Sequence, residues 1–241
     1  MNNIKAIFKK QVKDTLKNPA ILIQFIIFPG VAWVMTLVLE GTDMSSEMIA
    51  GMPNMVLMMA SIFAGMGLIP MVTGIIAEDR DRKSLRFLTM AGIKPSSYLI
   101  GIGLVVFIIS AFTSLAFAFL TDFTGSDFWI FLASMLSAAV GSILLGALFG
   151  IISSNPQAGG ALAMPAALIL GFGPMMAQFN PTVARFLNIF YTQQLNTITD
   201  TLSGYVNMST DLLQSFGIMW ANVAVLTVLF AVVYKRKGVR A

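Results

Sequence analysis

The side chains best suited to polar chemistry stand together in one interval, "AEDRDRKSLRFLTMAGIKPSSYLIG", Ala77 to Gly101. It holds three acids, Glu78, Asp79 and Asp81, and five bases, Arg80, Arg82, Lys83, Arg86 and Lys94. Glu78 with Arg82, and Asp79 with Lys83, are acid-first pairs four residues apart. That spacing brings opposite charges together on one helix face and adds roughly 0.2–0.5 kcal/mol per pair. The chemistry on offer is ion pairing and recognition. The 241 residues contain no histidine and no cysteine, so imidazole acid/base catalysis, thiolate chemistry, disulfides and the usual metal ligands are excluded. No G-x-x-x-x-G-K-S/T phosphate loop is present, so the chain does not bind ATP in that manner, and it reads as a non-enzyme.

Glu78 and Asp79 directly follow an apolar run, where the negative end of a helix dipole disfavours acids by roughly 0.3–1 kcal/mol. They are therefore expected to open a new helix. Leu85, Phe87, Leu88 and Met90 supply it with apolar surface, Gly92 is a stop, Pro95 follows, and Ser96 or Ser97 can cap the next helix. Apolar residues rimmed by charge describe a docking surface for a cytoplasmic protein. A helix resting on lipid headgroups is the plainer alternative.

The surroundings of this interval are a membrane protein. The chain is 57% hydrophobic and 11% charged, against roughly 25% charged in soluble domains. Six runs of spanning length lack Asp, Glu, Lys and Arg: residues 20–39, 55–77, 98–120, 128–152, 158–177 and 216–234. The expected fold is all-α, one transmembrane domain over residues 1–241, with a cytoplasmic loop at 78–97 and an outer segment at 178–215. Pro29 is expected to bend or loosen the first span. If both termini are cytoplasmic, fourteen of the fifteen Lys and Arg lie inside and only Arg185 lies outside. Seven acids, Glu40, Asp43, Glu47, Asp122, Asp127, Asp200 and Asp211, fall outside. So lopsided a distribution requires an even number of spans with both ends inside. The basic excess thus records topology, and no nucleic-acid partner is implied.

Residues 1–19 place Ile4, Ile7, Phe8, Val12 and Leu16 on one side of a helical wheel and the lysines largely on the other. This is the pattern of an amphipathic helix lying in the inner interface. A basic tail that only enforces orientation would carry the same charges.

The drawn spans contain no ionisable residue apart from tyrosine. Ion-coupled transporters and voltage sensors need intramembrane charge, so self-powered transport is disfavoured. Span four carries Ala138, Ser142, Gly146, Gly150 and Ser154 at four-residue intervals; span five carries Gly159, Ala163, Ala167 and Gly171. Small-residue stripes let membrane helices approach closely. The span-four stripe is expected to pack within the subunit against span five, its antiparallel neighbour. Met48, Met52, Met55, Met59 and Met66 fall near one helical face. They read either as core packing or as an adaptable wall for an amphipathic substrate.

Taken together, the basic lead-in, six spans and the "AEDRDRKSLRFLTMAGIKPSSYLIG" interval resemble the permease subunit of type 2 ATP-binding-cassette (ABC) transporters, through Glu78, Leu85, Leu88, Pro95, Ser96, Ile100 and Gly101. The resemblance implies a coupling helix, with Glu78, Asp79, Arg82, Leu85, Leu88, Gly92 and Pro95, that fits a groove on a separate cytoplasmic ABC ATPase. It implies a second, smaller contact at "SSNPQ", through Ser153 and Asn155. It further implies a segment dipping back at the outer face through breaks at Pro174 and Pro181, and a second permease half, homo- or heterodimeric, with the seam on spans one and five. The span-five stripe would serve that seam. ATP and Mg would be held by the partner ATPase and no cofactor by this chain. The implied activity is export of a hydrophobic or amphipathic compound, such as a drug, peptide or lipid-linked molecule, across the plasma membrane. A nontransporting adaptor using the same loop, or a passive channel, are the alternatives from other classes.

Overall fold

The computed structural model describes residues 2–41, 55–84, 90, 92, 95–121, 123–204 and 212–238. Met48, Met52, Leu85 and Leu88 lie outside the described residues, so the expected helix through the loop lies largely outside them too.

The described residues form helices and no strand. Helix α1 (Asn2–Lys17) precedes α2 (Pro19–Glu40), and α3 runs from Met55 to Asp81. Then come α4 (Pro95–Leu120), α5 (Ser126–Ile152), α6 (Pro156–Phe179), the short α7 (Pro181–Leu187), α8 (Tyr191–Leu202) and α9 (Leu212–Val233). Six helices, α2 to α6 and α9, are long and apolar enough to cross a membrane. Their limits fall within a few residues of the apolar runs, because the absence of charge over about 20 residues is itself the physical requirement for spanning.

Helices α3 and α5 form the centre, and α2 and α9 the rim, where Ile26, Val34, Val228 and Leu229 face outward. The α3/α5 seam is built from the small residues of α5. Ser142 Oγ donates to the Ala64 carbonyl at 2.6 Å, and a Cβ at Gly146 would lie 2.7 Å from the Ile69 carbonyl oxygen. One at Gly150 would lie 2.7 Å from Ile76 Cβ. The span-four stripe therefore packs inside the chain, with α3 rather than α6 as its main partner.

The span-five stripe, which the resemblance would put at a dimer seam, meets α3 within the chain. Ala163 and Ala167 are fully buried, and Gly159 faces Thr73 and Ala77. At Gly65 the crossing is backbone on backbone, since a Cβ there would lie 2.4 Å from the Gly171 nitrogen. Helix α3 makes this approach in a π-helical turn, Phe63–Gly67, which widens the helix locally. Phe63 in that turn stacks edge-on against Phe25 and Phe28 of α2 and tilts against Phe117 of α4, with centroids 5.7–6.0 Å apart. These contacts fasten α2 to the centre. Helix α2 runs on through Pro29.

Helix α1 lies against α4. Ile7, Gln11 and Thr15 are buried on one face while the lysines stay exposed, and Leu16, expected on the apolar side, is exposed. Ile7 sits over Gly101, where a Cβ would come within 2.6 Å of Ile7 Cγ2.

Beyond α6 the chain folds back. Pro174 does not break α6, which continues to Phe179; the turn comes at Asn180, whose side chain accepts from Thr182 N at 2.9 Å and caps α7. Pro181, directly after the cap, lacks the amide hydrogen that a first-turn residue does not need. Helix α8 then enters the bundle with Tyr191 fully buried. Its hydroxyl lies 2.9 Å from Ser142 Oγ and its ring covers Gly141, well along α5 from the Ser126 end.

Candidate coupling site

The site is assembled where α3 ends. Helix α3 does not stop before Glu78; it continues through Asp81, so Glu78 and Asp79 sit in its last turn instead of opening a new helix. Lys83, at φ 57°, takes the left-handed conformation that turns the chain away. The dipole cost that disfavoured acids here is offset by partners from elsewhere. Glu78 pairs with Arg82 at 2.6 Å, as the four-residue spacing requires. Asp79 turns from Lys83 to two distant groups: Lys10 Nζ of α1 donates to its Oδ1 at 2.6 Å, and Tyr98 Oη of α4 to its Oδ2 at 3.0 Å. Asp79 is only 8% exposed, so both oxygens need these donors.

Arg80, the next residue, reaches the other way. Its guanidinium donates to the Ile151 carbonyl and to the Ser153 carbonyl, the latter at 3.0 Å. These carbonyls close α5 and begin the α5/α6 connection, where helix carbonyls lack internal partners and attract cations. Ser153 is buried, with Oγ donating to Phe149 O at 2.7 Å; Asn155 Oδ1 accepts from Ala158 N at 2.8 Å and caps α6. Two consecutive residues thus join the middle of α1, the end of α3, the start of α4, and the end of α5 with the connection that follows it. Between α1 and α3 lies a cleft of about 370 Å³, lined by Lys10, Lys17 and Arg82 and by Asp14, Glu78 and Asp79. Gly92 has φ 73°, in the left-handed region that glycine adopts without strain, and Pro95 is the first residue of α4.

Of the methionines, Met55, Met59 and Met66 are half-buried. Met66 fills the space beside Gly171, so it packs α3 on α6. Among the described residues no group of three or more acids, histidines and cysteines could hold a metal.

A second polar region was not expected from the sequence. Helix α8, "YTQQLNTITDTL", buries Thr192, Gln193, Gln194, Asn196 and Thr199 among apolar spans. Gln194 Nε2 donates to Asn188 Oδ1 at 2.8 Å, and Asn196 Nδ2 to Asp200 Oδ2 at 2.6 Å. Burial pushes the Asp200 carboxyl up to about 6, against the opposing hydrogen bonds from Gln178 and Asn196. The signal was a dense run of amides and threonines with one acid, whose composition resembles that of an ordinary outer loop.

Five of the six spanning helices, α3 to α6 and α9, with the charged connection and the folded-back α7/α8 pair, coincide with the stretch matched by one family model, that of the ABC-2 family transporter protein, over residues 39–232, while α2 ends where the match begins. The chain belongs to the ABC-2 transporter family. It is thus a type 2 ABC transporter permease, a multi-pass membrane chain whose family implies an ABC ATPase partner. No curated protein matches it. In this ABC-2 permease the matched residues include Asp79, Arg80, Ser153 and Asp200, whereas α1, with Lys10, precedes them.

Proposed function

We propose that this permease is the membrane half of an ATP-driven exporter of hydrophobic or amphipathic compounds. Its basic end faces the cytoplasm of the cell membrane, and α1 lies in the inner interface. A soluble ATPase holding ATP and Mg docks on residues 78–97 and 153–157, one ATPase for each of two permease halves. The observation that carries this reading is the Arg80 bridge. Both proposed contacts, the α3 end and the Ser153–Asn155 turn, are held together by one guanidinium, and Asp79 beside it grips α1 and α4. A push delivered by the ATPase would therefore reach α3, α4, α5 and α6 as one body, which a solvated connector would not transmit. The second half would meet the outward residues of α6, such as Leu168, Ile169 and Phe172, since the opposite stripe is occupied by α3. Met55 and Met59 are the proposed apolar wall of the substrate path.

The test is gentle purification from the native membrane, with assay of co-purifying proteins and of ATP hydrolysis. An ATPase that co-purifies with the unaltered chain and is lost in the Leu85→Asp/Leu88→Asp double variant, with membrane insertion intact, is the expected result. Retained transport in that variant defeats the docking proposal, and absence of any ATPase favours an adaptor or channel.

A further inference from the structure

We infer that Asp200, Asn196, Gln178 and Gln193 form a recognition site for a protonated primary amine at the end of the bundle opposite Arg80. Asp200 is a largely buried carboxylate without a countercharge. Among the described residues no ion pair includes it. The segments packed against α8, namely the Met55–Ile62 part of α3 together with α5, α6 and α9, carry one acid, Asp127, and no Lys or Arg. Arg185, on the short α7, is exposed. Buried charges in proteins are ordinarily paired, so a cation is missing from this place.

The surrounding amides specify which kind of cation. Asn196 Nδ2 donates to the Asp200 carboxylate at 2.6 Å, and the Gln178 amide beside it turns its N–H side toward the same group. That fixes the orientation of Gln178, because its oxygen would be repelled by the carboxylate. Gln178 Oε1 is consequently a buried acceptor, and it has no hydrogen-bond partner. Gln193, 9% exposed, likewise has a buried Oε1 without a partner. Residues 193, 196 and 200 follow at intervals of three and four, so they share one face of α8. The unmet demand is for positive charge together with N–H donors. An ammonium group supplies both; a quaternary ammonium supplies only the charge. In the Met55–Ile62 part of α3, which packs against α8, Met55, Met58 and Met59 stay partly exposed and offer apolar surface to the remainder of a cationic amphipath.

The inference deepens the exporter reading by naming its substrate class, a cationic amphipath with a primary amine, but binding itself requires no ATPase. It is tested with the full chain in lipid nanodiscs by thermal unfolding against three probes: phenethylammonium, its trimethylated quaternary analogue and neutral 2-phenylethanol. The primary ammonium is expected to raise the unfolding temperature, the quaternary analogue less, and the alcohol not at all. Asp200→Asn is expected to weaken the apparent affinity by about tenfold or more, as loss of a charge-assisted contact does. Gln178→Met is expected to erase the difference between primary and quaternary probes. Equal shifts from amine and alcohol, an undiminished response in Asp200→Asn, or no response to the ammonium at any concentration would overturn the site. If the amine binds and no ATPase co-purifies, the exporter reading fails while the site stands.

Discussion

Arg80 and Ser153, 73 residues apart in the chain, are joined by a guanidinium-to-carbonyl hydrogen bond of 3.0 Å. The same guanidinium also holds Ile151 O. Both bonds leave one nitrogen, Nη1, whose two hydrogens are fixed in the guanidinium plane, whereas a lysine ammonium rotates and would hold the two carbonyls with less directional definition. Arg80→Lys is therefore expected to insert and fold but to lower ATPase-coupled transport. Arg80→Ala leaves two carbonyls unmet and is expected to cost about 1.5–3 kcal/mol of stability as well. Transport and thermal unfolding measured side by side separate the two effects. Wild-type transport in Arg80→Ala would show that the bridge carries no motion.

The neighbouring Asp79 predicts a different pattern. Lys10 is about half-exposed, so its pair with Asp79 is screened, and a double-mutant cycle on Lys10→Met and Asp79→Asn should give a coupling of about 1 kcal/mol or less. Tyr98→Phe in the Asp79→Asn background should add almost nothing, because the hydroxyl's charged acceptor is already gone. Fully additive effects of Lys10 and Asp79 would mean that α1 is held by its Ile7 packing alone.

Gly65 and Gly171 supply a packing test with an internal control. A Cβ on Gly65 would sit 2.4 Å from the Gly171 nitrogen and 2.5 Å from its Cα, so backbone would have to move. A Cβ on Gly74, in the same span, would meet nothing within 4 Å. Gly65→Ala is expected to lose several kcal/mol or fail to accumulate, while Gly74→Ala folds normally and gains up to about 1 kcal/mol of helix propensity. Measured expression and unfolding temperatures that treat the two alike would sink the close crossing.

These contrasts mark how much of the molecule can be read from sequence. The six spans were legible because apolar length is a local property, and so was the Glu78–Arg82 pair, whose partners are four residues apart. The helix end at Asp81 was not. A local rule moved Glu78 and Asp79 into a new helix, and what overrode it, Lys10 and Tyr98, lies 69 and 19 residues from Asp79. The small-residue stripes announced close packing but not its direction: α3 lies between, facing both stripes with Gly65, Ile69, Thr73 and Ile76. The polar α8 stayed hidden for a related reason. Hydropathy marks helices that face lipid, whereas α8 is sheltered by other helices and bonds its amides to nearby polar groups.

Asp200 gives the pH-dependent prediction. Its carboxyl titrates near 6 in the folded chain, raised by burial from an ordinary value of 3.8. Below the ordinary value both folded and unfolded chains hold the proton, and burial costs nothing through this group. Between about 4 and 6 the unfolded chain releases the proton while the folded chain keeps it, so stability falls as pH rises. Above about 6 the loss levels off, at most at about 3 kcal/mol for a shift of roughly two units. Asp200→Asn removes the titration and retains an amide that its neighbours can bond. Unfolding temperatures from pH 4 to 8 should therefore coincide with wild type at the acid end, with the variant increasingly more stable up to pH 6 and by a constant margin beyond. Asp127, the one acid on the segments packed against α8 among the described residues, is unchanged in the variant and cancels in the difference, as does the exposed Arg185. Parallel profiles across the whole range would mean that Asp200 is solvated in the membrane-embedded chain, and the missing cation would then need no ligand to supply it.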